Sequence, residues 1–404
     1  MKSKTVFYLI LLTFFASFIP AMHAQTFSVI HTFTGGPGGK SPGAGVTLRG
    51  NALYGTTEDC AVYQLTNTGS NWLFSTLAMF PKNNCSLNGR VIFGPDGHLY
   101  GTSSGGGAHW GGFVFKLTPQ LGPCKDAACY WTVNDIHDFP SSDGDGIGPW
   151  GDLIWDQQGN IYGTTEDGGI SGNGIVYELT PSGNGYTETV LHRFSGADGC
   201  CSWDGLVSDN KGNLFGTTAG GGSNNFGTVF ELTYVPGVGW TEHVIYDFPN
   251  VDDGNSPVGG LIFDSAGNLY GTTVGGGSGG GGTVFELSPS GDTWTFTPLY
   301  SFSGPNGVSD GPQKALAMDA AGNLYGTTLG EYTYPYGNVF KLIRTGNGWV
   351  YSSLHDFTGG SDGASPESNV SIDSDGTLYG TTSAGGDLNC HGGYGCGVVW
   401  MIKP

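Results

Sequence analysis

Apolar residues in this chain come in short bursts separated by polar, Gly-rich stretches. Between residues 259 and 302 the order is an apolar run at 261–263, a polar Asp264-Ser265-Ala266-Gly267, and a mixed segment at 268–273. A Gly-rich stretch follows, then 283–287, a second polar turn at 289–292, and finally Trp294, Phe296, Tyr300 and Phe302 at even spacing. Short runs with period two, bounded by Asp, Gly and Pro, predict strands and tight turns. In the first turn Asp264 is placed to accept backbone N–H bonds, and Gly267 to supply the positive φ that closes it. The even spacing after residue 293 puts its four rings on one face of a fourth strand. No stretch beyond residue 24 holds a helical period.

This unit recurs. Tyr-Gly-Thr-Thr or a near variant starts at Tyr54, Tyr100, Tyr162, Phe215, Tyr270, Tyr325 and Tyr379, at intervals of 46 to 62 residues. Four strands in about 50 residues match a propeller blade, which must cover its faces with its neighbours. The two ends agree with a closed ring. Residues 25–33, QTFSVIHTF, have the pattern of a fourth strand, and residues 397–404, GVVWMIKP, that of a third. The seventh copy lacks a fourth strand and the start of the chain has a spare one, so joining them leaves no open sheet edge. The expectation is an all-β, seven-bladed β-propeller of four-stranded blades, a single domain over 25–404.

The repeats resemble the bacterial GloVer tandem repeat, marked by Gly-Asn-Leu-Tyr-Gly-Thr-Thr (267–273) followed by Gly-Thr-Val-Phe-Glu-Leu (282–287). The resemblance extends over nearly all of 25–404 and implies an exported propeller with no settled activity. Members are often followed by C-terminal anchors; no apolar tail precedes Pro404. Asp-x-x-Gly-Asn-Leu-Tyr is also similar, more weakly, to NHL-type propeller repeats.

Residues 1–24 read as a secretory signal peptide: Lys2 and Lys4, an apolar run from 6 to 19, and a cut after Ala24, with an uncleaved anchor as the alternative. The expected location is secreted or periplasmic, with no membrane attachment after cleavage. The chain carries 34 acidic and 14 basic residues, a formal charge of −20, which becomes more negative when Lys2 and Lys4 are removed. Such a surface repels nucleic acid and anionic lipid. The 75 Gly and 13% aromatic residues fit a core-forming protein with many turns rather than a disordered one.

Eight cysteines in an exported chain favour disulfides. The preferred pairs are Cys60 with Cys85, Cys124 with Cys129 and Cys390 with Cys396. Cys200 and Cys201 are left as a strained vicinal bridge or two free thiols. His31, His137, His192 and His355 each stand two residues before the Phe that ends strand four. Because strand four is outermost, their rings are expected to lie too far apart to share one ion, and structural packing is their expected role. Asp-Gly pairs precede strand one at Asp143, Asp145, Asp198, Asp310 and Asp362, with Asp252-Asp253-Gly254 in the fifth copy. An EF-hand reading fails because Ile154 occupies the twelfth position from Asp143. No cofactor is called, and no dedicated metal site; a weak calcium site assembled from such acids stays open.

No nucleophile elbow, His-Glu-x-x-His or phosphate loop is present. What varies between copies is the residue three before strand one: Gly43, Asn88, Trp150, Trp203, Val258, Gln313 and Glu367. Strand one is innermost, so this position rims one mouth of the channel. The loops between strands two and three on that side add His109, Trp110, Glu166, Asp167, Glu331 and Tyr332. Aromatic faces beside carboxylates suit a sugar ring, with a cationic ligand as rival and plain packing of the two Trp as the bland reading. The leading expectation is a non-enzymatic binding or scaffold module for an extracellular glycan, peptide or small molecule. The alternatives are a propeller enzyme of the streptogramin-lyase or gluconolactonase kind, and a purely structural envelope component.

Overall fold

The computed structural model describes residues 25–81, 84–119, 130–140, 144–183, 185–291, 293–303, 311–330 and 335–404. The signal call, Cys124, Cys129, Asp143, Asp310, Glu331 and Tyr332 lie outside the described residues. Seven four-stranded antiparallel sheets are present, one for each Tyr-Gly-Thr-Thr copy, and they form the blades of a propeller, numbered here in that order. Blade 5 comprises Ile262–Phe263, Leu269–Thr273, Gly280–Ser290 and Thr293–Ser303, close to the strands read from the sequence. Blade 7 takes Ser371–Ile372, Leu378–Thr382 and Val398–Lys403 from one end of the chain and Thr26–Thr32 from the other. Thr26 pairs with Lys403 and Thr32 with Val398, so the start of the chain completes the last blade.

The repeat motif is explained by packing. The Gly of each Tyr-Gly-Thr-Thr lies opposite a strand-three aromatic: Tyr63, Phe115, Tyr177, Phe230, Phe285, Phe340 or Trp400. A Cβ at any of the seven would overlap that ring or its hydroxyl. Here Gly is required for close approach, not for its dihedral freedom. In the turn between strands one and two, Gly267 does adopt a positive φ, 88°. Asp264 accepts the N–H groups of Ala266 and Asn268, the Asn268 amide and the Tyr270 hydroxyl, at 2.8–3.1 Å. The same set recurs at Asp156 and Asp319, so these carboxylates belong to the scaffold.

The first Thr of the motif joins blades. Its hydroxyl donates to a backbone carbonyl at the entry to strand one of the next blade. The pairs are Thr56 to Gly89, Thr102 to Gly151, Thr164 to Asp204, Thr217 to Gly259, Thr272 to Lys314 and Thr327 to Ser368, at 2.9–3.4 Å. The second Thr stays within its blade. Thr165, Thr218, Thr273 and Thr382 each bond the carbonyl two residues on and accept the N–H that opens strand three.

One expectation is corrected. Trp294, Phe296, Tyr300 and Phe302 do not share a face, because a bulge intervenes: Phe285 pairs with Pro298 but Val284 with Tyr300. The extra residue flips the side-chain alternation. Trp294 and Phe296 therefore pack against blade 4, and Tyr300 and Phe302 against blade 6. The same bulge occurs in all seven blades. One outer strand thereby contributes to two interfaces. Ahead of the bulge, Trp72, Trp131, Trp240, Trp294 and Trp349 each pack at 57–73° against the motif Tyr or Phe of the preceding blade, at centroid distances of 5.9–6.3 Å.

Past the bulge, each strand-four His meets the following blade. His31 stacks on Phe74 at 4.2 Å and His355 on Phe27 at 3.5 Å, each with rings 6° from parallel. Burial pushes the His31 ring down to about 4, as suits a neutral packed imidazole. The Asp-Gly pairs before strand one reach these rings. Asp198 bonds His192 at 3.0 Å, Asp362 bonds His355 at 3.1 Å, and Asp253 accepts the Tyr246 hydroxyl at 2.9 Å.

Cys60–Cys85 and Cys390–Cys396 are bonded, as expected. Cys200 and Cys201 are not, although their Sγ atoms stand 3.0 Å apart and Cys201 adopts φ 63°. Between the two readings of this pair, the free thiols hold. Burial, reinforced by the Cys200 thiol, pushes the Cys201 thiol up to about 12. Peptide mapping after unfolding and alkylation without reductant should give the 60–85 and 390–396 links and two alkylated residues at 200 and 201. A 200–201 link would contradict this arrangement.

Deleting residues 25–33 tests ring closure. It strips blade 7 of its outer strand and removes Phe33, which is 1% exposed; one such side chain contributes roughly 1.5–3 kcal/mol. Together with the lost ladder, the melting temperature should fall by about 10 °C or more. An unchanged melting temperature would refute this closure.

Candidate functional site

The entry to strand one is held by backbone contacts. Gly89 faces the Trp150 and Gly151 carbonyls, Gly151 faces Asp204, Gly205 faces Asp152 and Gly259 faces Lys314, each too close for a Cβ. With neighbouring entries packed so tightly, the side chain one step farther out is carried to the rim of the channel. All seven residues at that position, Gly43, Asn88, Trp150, Trp203, Val258, Gln313 and Glu367, line one cavity of about 270 Å³. Glu58, Leu87 and Lys314 complete its wall.

Trp150 and Trp203 form its most distinctive feature. Their rings lie 20° from parallel with centroids 6.0 Å apart. A ring inserted between them would need about 7 Å, two contacts of roughly 3.5 Å. The pair is therefore a stacked step whose free aromatic face is the outer face of Trp203, which is 39% exposed. The Trp150 and Trp203 indoles act on the Glu166 carboxylate and favour its charged form. Burial and the adjacent Asp167 nevertheless push the Glu166 carboxyl above its usual range.

Two more acids bracket the cavity. Burial, opposed by His391 and Lys40, raises Glu58. Burial and then the charge of Glu58 raise Glu367, with Lys314 opposing. The mouth thus combines one exposed aromatic face, carboxyl groups of weakened acidity that accept or donate hydrogen bonds, and a single ammonium from Lys314. Such a set can hold a polyhydroxylated ring by stacking on its C–H face and bonding its hydroxyls.

The other expected residues are placed differently. His109 and Trp110 are exposed, Trp110 at 68%, and neither lines the cavity. Asp167 is exposed and pairs with Ile147 in a two-stranded ribbon beside blade 3. It reaches the site only through its charge on Glu166.

The channel below the mouth holds charged residues that the sequence reading missed. Arg90 forms a two-pronged pair with Asp152, from Nε and Nη2 to Oδ2 at 2.7 Å, and its backbone N–H donates to Oδ1. Buried Asp204 accepts the N–H groups of Gly205 and Gly260 at 2.7 and 2.8 Å. Its desolvation raises it, against Lys314. These residues stand one or two positions after the variable one, so the same comparison of copies, moved inward, would have found them. A larger groove of about 790 Å³ lies between blades 4 and 5, lined by Asp209, His243, Phe215 and Trp294. Asp209 and Trp294 are turn and packing residues of the repeat, which makes the groove a by-product of blade packing.

Solved structures share the architecture. The extracellular domain of a protein named as a hybrid two-component system of B. thetaiotaomicron matches with a TM-score of 0.55 and 12% identity, over 93% of this chain and 42% of that one. A hypothetical selenium-binding protein from Sulfolobus tokodaii matches with a TM-score of 0.52 and 14% identity, over 79% and 78%. A gluconolactonase from Xanthomonas campestris covers 92% and 98% at 13% identity, but its TM-score of 0.42 is too low to inform the site. At these identities the likeness concerns the fold alone. No curated protein matches the sequence. The model of the Gloeobacter/Verrucomicrobia repeat matches residues 58–241 and again 234–404, and the chain belongs to that repeat family.

Proposed function

We propose that this protein is an exported binding module that presents the Trp150–Trp203 step to an extracellular glycan. The observation that carries the reading is the convergence of all seven copy-variable residues on one cavity, with two aromatic rings that the blade plan does not require. Five of the ten Trp residues pack at the repeated position before the strand-four bulge, whereas Trp150 and Trp203 have no counterpart in the other blades. Export is consistent with two disulfides, and among the described residues no helix is long and apolar enough to cross a membrane. A hydrolase or lyase would draw on the same mouth through Glu58, Glu367 and Lys314.

W203A should lower affinity for a bound glycan at least tenfold, a stacking loss of about 1.4 kcal/mol or more, at unchanged melting temperature. W150A should weaken binding less, since its ring supports the exposed one. A glycan array followed by calorimetry reads both. Full affinity in both variants would place the site elsewhere, preferential binding of quaternary ammonium ligands would favour the cationic rival, and loss of the glycan into products would favour an enzyme.

A further inference from the structure

The outer interfaces between blades can be compared as seven versions of one contact. The residue two before the strand-four terminal Phe faces the residue six before that Phe in the next blade. Four interfaces are ring on ring: His31 on Phe74, Tyr246 on Phe296, Tyr300 on Tyr351 and His355 on Phe27, at 3.5–4.6 Å. At one interface the two positions hold Ala78 and Val133. The remaining two, between blades 2 and 3 and between blades 3 and 4, replace the accepting ring with a carboxylate. His137 meets Glu188, and His192 meets Glu242. An Asp from the loop before strand one joins each, giving His137–Asp145–Glu188 and His192–Asp198–Glu242. In each trio one ligand atom per residue lies within 4.8 Å of the others.

From these trios we infer two divalent-cation sites of the zinc class, one at each interface, which bind a transition-series cation through one imidazole and two carboxylates. His192 Nε2 pairs with Asp198 Oδ2 at 3.0 Å, but neither His–Glu contact is closed by a hydrogen bond, as a purely structural one would be. His137 Nε2, Glu188 Oε1 and Glu242 Oε1 are buried atoms without a hydrogen-bond partner among the described residues. Nε2 of His137 stands 3.5 Å from Glu188 Oε2, a spacing typical of two ligands on one ion, since donors 2.0–2.2 Å from a metal stand about 3–4 Å apart. The aspartates are held in place by their other oxygen. Asp145 Oδ1 accepts the Gly146 N–H at 2.7 Å, and Asp198 Oδ1 accepts the Ser195 N–H and hydroxyl at 2.8 and 3.0 Å. Such outer bonds orient a metal-binding carboxylate. Arg193, the cation near Glu188, directs its Nε to the Gly144 carbonyl at 3.0 Å. The imidazole donor selects zinc-like ions over calcium or magnesium, whose preference is for oxygen alone. Three protein ligands leave one position for water, and each ion would link two blades at their outer edge.

The test titrates Zn²⁺ into chelator-stripped protein in 150 mM NaCl, in a C200S/C201S background so that the vicinal thiols take none. The expected result is two equivalents bound and a higher melting temperature, neither of which Mg²⁺ reproduces. E188Q and E242Q should each lose one equivalent, and the double variant both. No stoichiometric Zn²⁺ in the parent, or two equivalents in the double variant, would overturn the inference. Should a variant fail to fold, Co²⁺ added to the folded parent decides: paramagnetic shifts on the His137 and His192 ring protons support the sites, and their absence refutes them.

Discussion

A threonine hydroxyl that reaches from one blade to the next is the contact around which this ring is organised. In six blades the first Thr of Tyr-Gly-Thr-Thr donates to the carbonyl at the following blade's strand-one entry. That bond sets the approach of neighbouring inner strands, and the Gly residues beside it leave no room for side chains there. The preceding Gly of the motif lets the strand-three aromatic lie flat beneath it. Because backbone and hydroxyl hold the inner wall, the residue one step outward carries no structural duty. Its variation from Gly43 to Glu367 is the freedom that the mouth uses.

The outer edge obeys a different constraint. Strand four is far from the axis and must face two neighbours, which a regular strand cannot do with one apolar face. The bulge solves this by reversing the alternation midway, so that Trp294 and Phe296 serve one interface and Tyr300 and Phe302 the other. Partners across each interface must then agree in kind. Ring meets ring, and His meets Glu. The two His–Glu interfaces adjoin blade 3, whose inner end supplies Trp150 and Asp152, so the blades that depart most from the repeat plan at the edge also do so at the mouth.

Much of this was legible in the residues. Spacing gave seven blades, and the patterns at 25–33 and 397–404 gave the closure. The variable position gave a cavity lining that the structure reproduces in full. The Cys60–Cys85 pair follows from loops that share a face, and Cys390–Cys396 from a short loop closed between strands. The bulge was not legible, because an inserted residue leaves the even spacing of 294, 296, 300 and 302 intact while switching the face. Trp110 was assigned to the mouth on loop order alone, yet it opens strand three of blade 2 opposite Pro140 and is exposed. Glu188 and Glu242 went unremarked since their significance depends on a partner in another blade, a register that sequence periodicity does not state. Asp152 and Asp204 were hidden beside Gly in a segment read only for its first residue.

The seam between blades 7 and 1 offers an internal control for the threonine contact. There Thr381 Oγ1 is buried without a hydrogen-bond partner among the described residues, and Ser371 Oγ instead bonds the Val46 carbonyl. Thr and Val have nearly the same shape, so the exchange removes only the hydroxyl. Denaturant unfolding of T164V and T381V therefore isolates the interaction. T164V should lose about 1–2 kcal/mol, the bond plus the carbonyl left unpaired, whereas T381V should be neutral or slightly stabilising. Equal losses at the two positions would contradict the claim that this hydroxyl bond holds blade to blade.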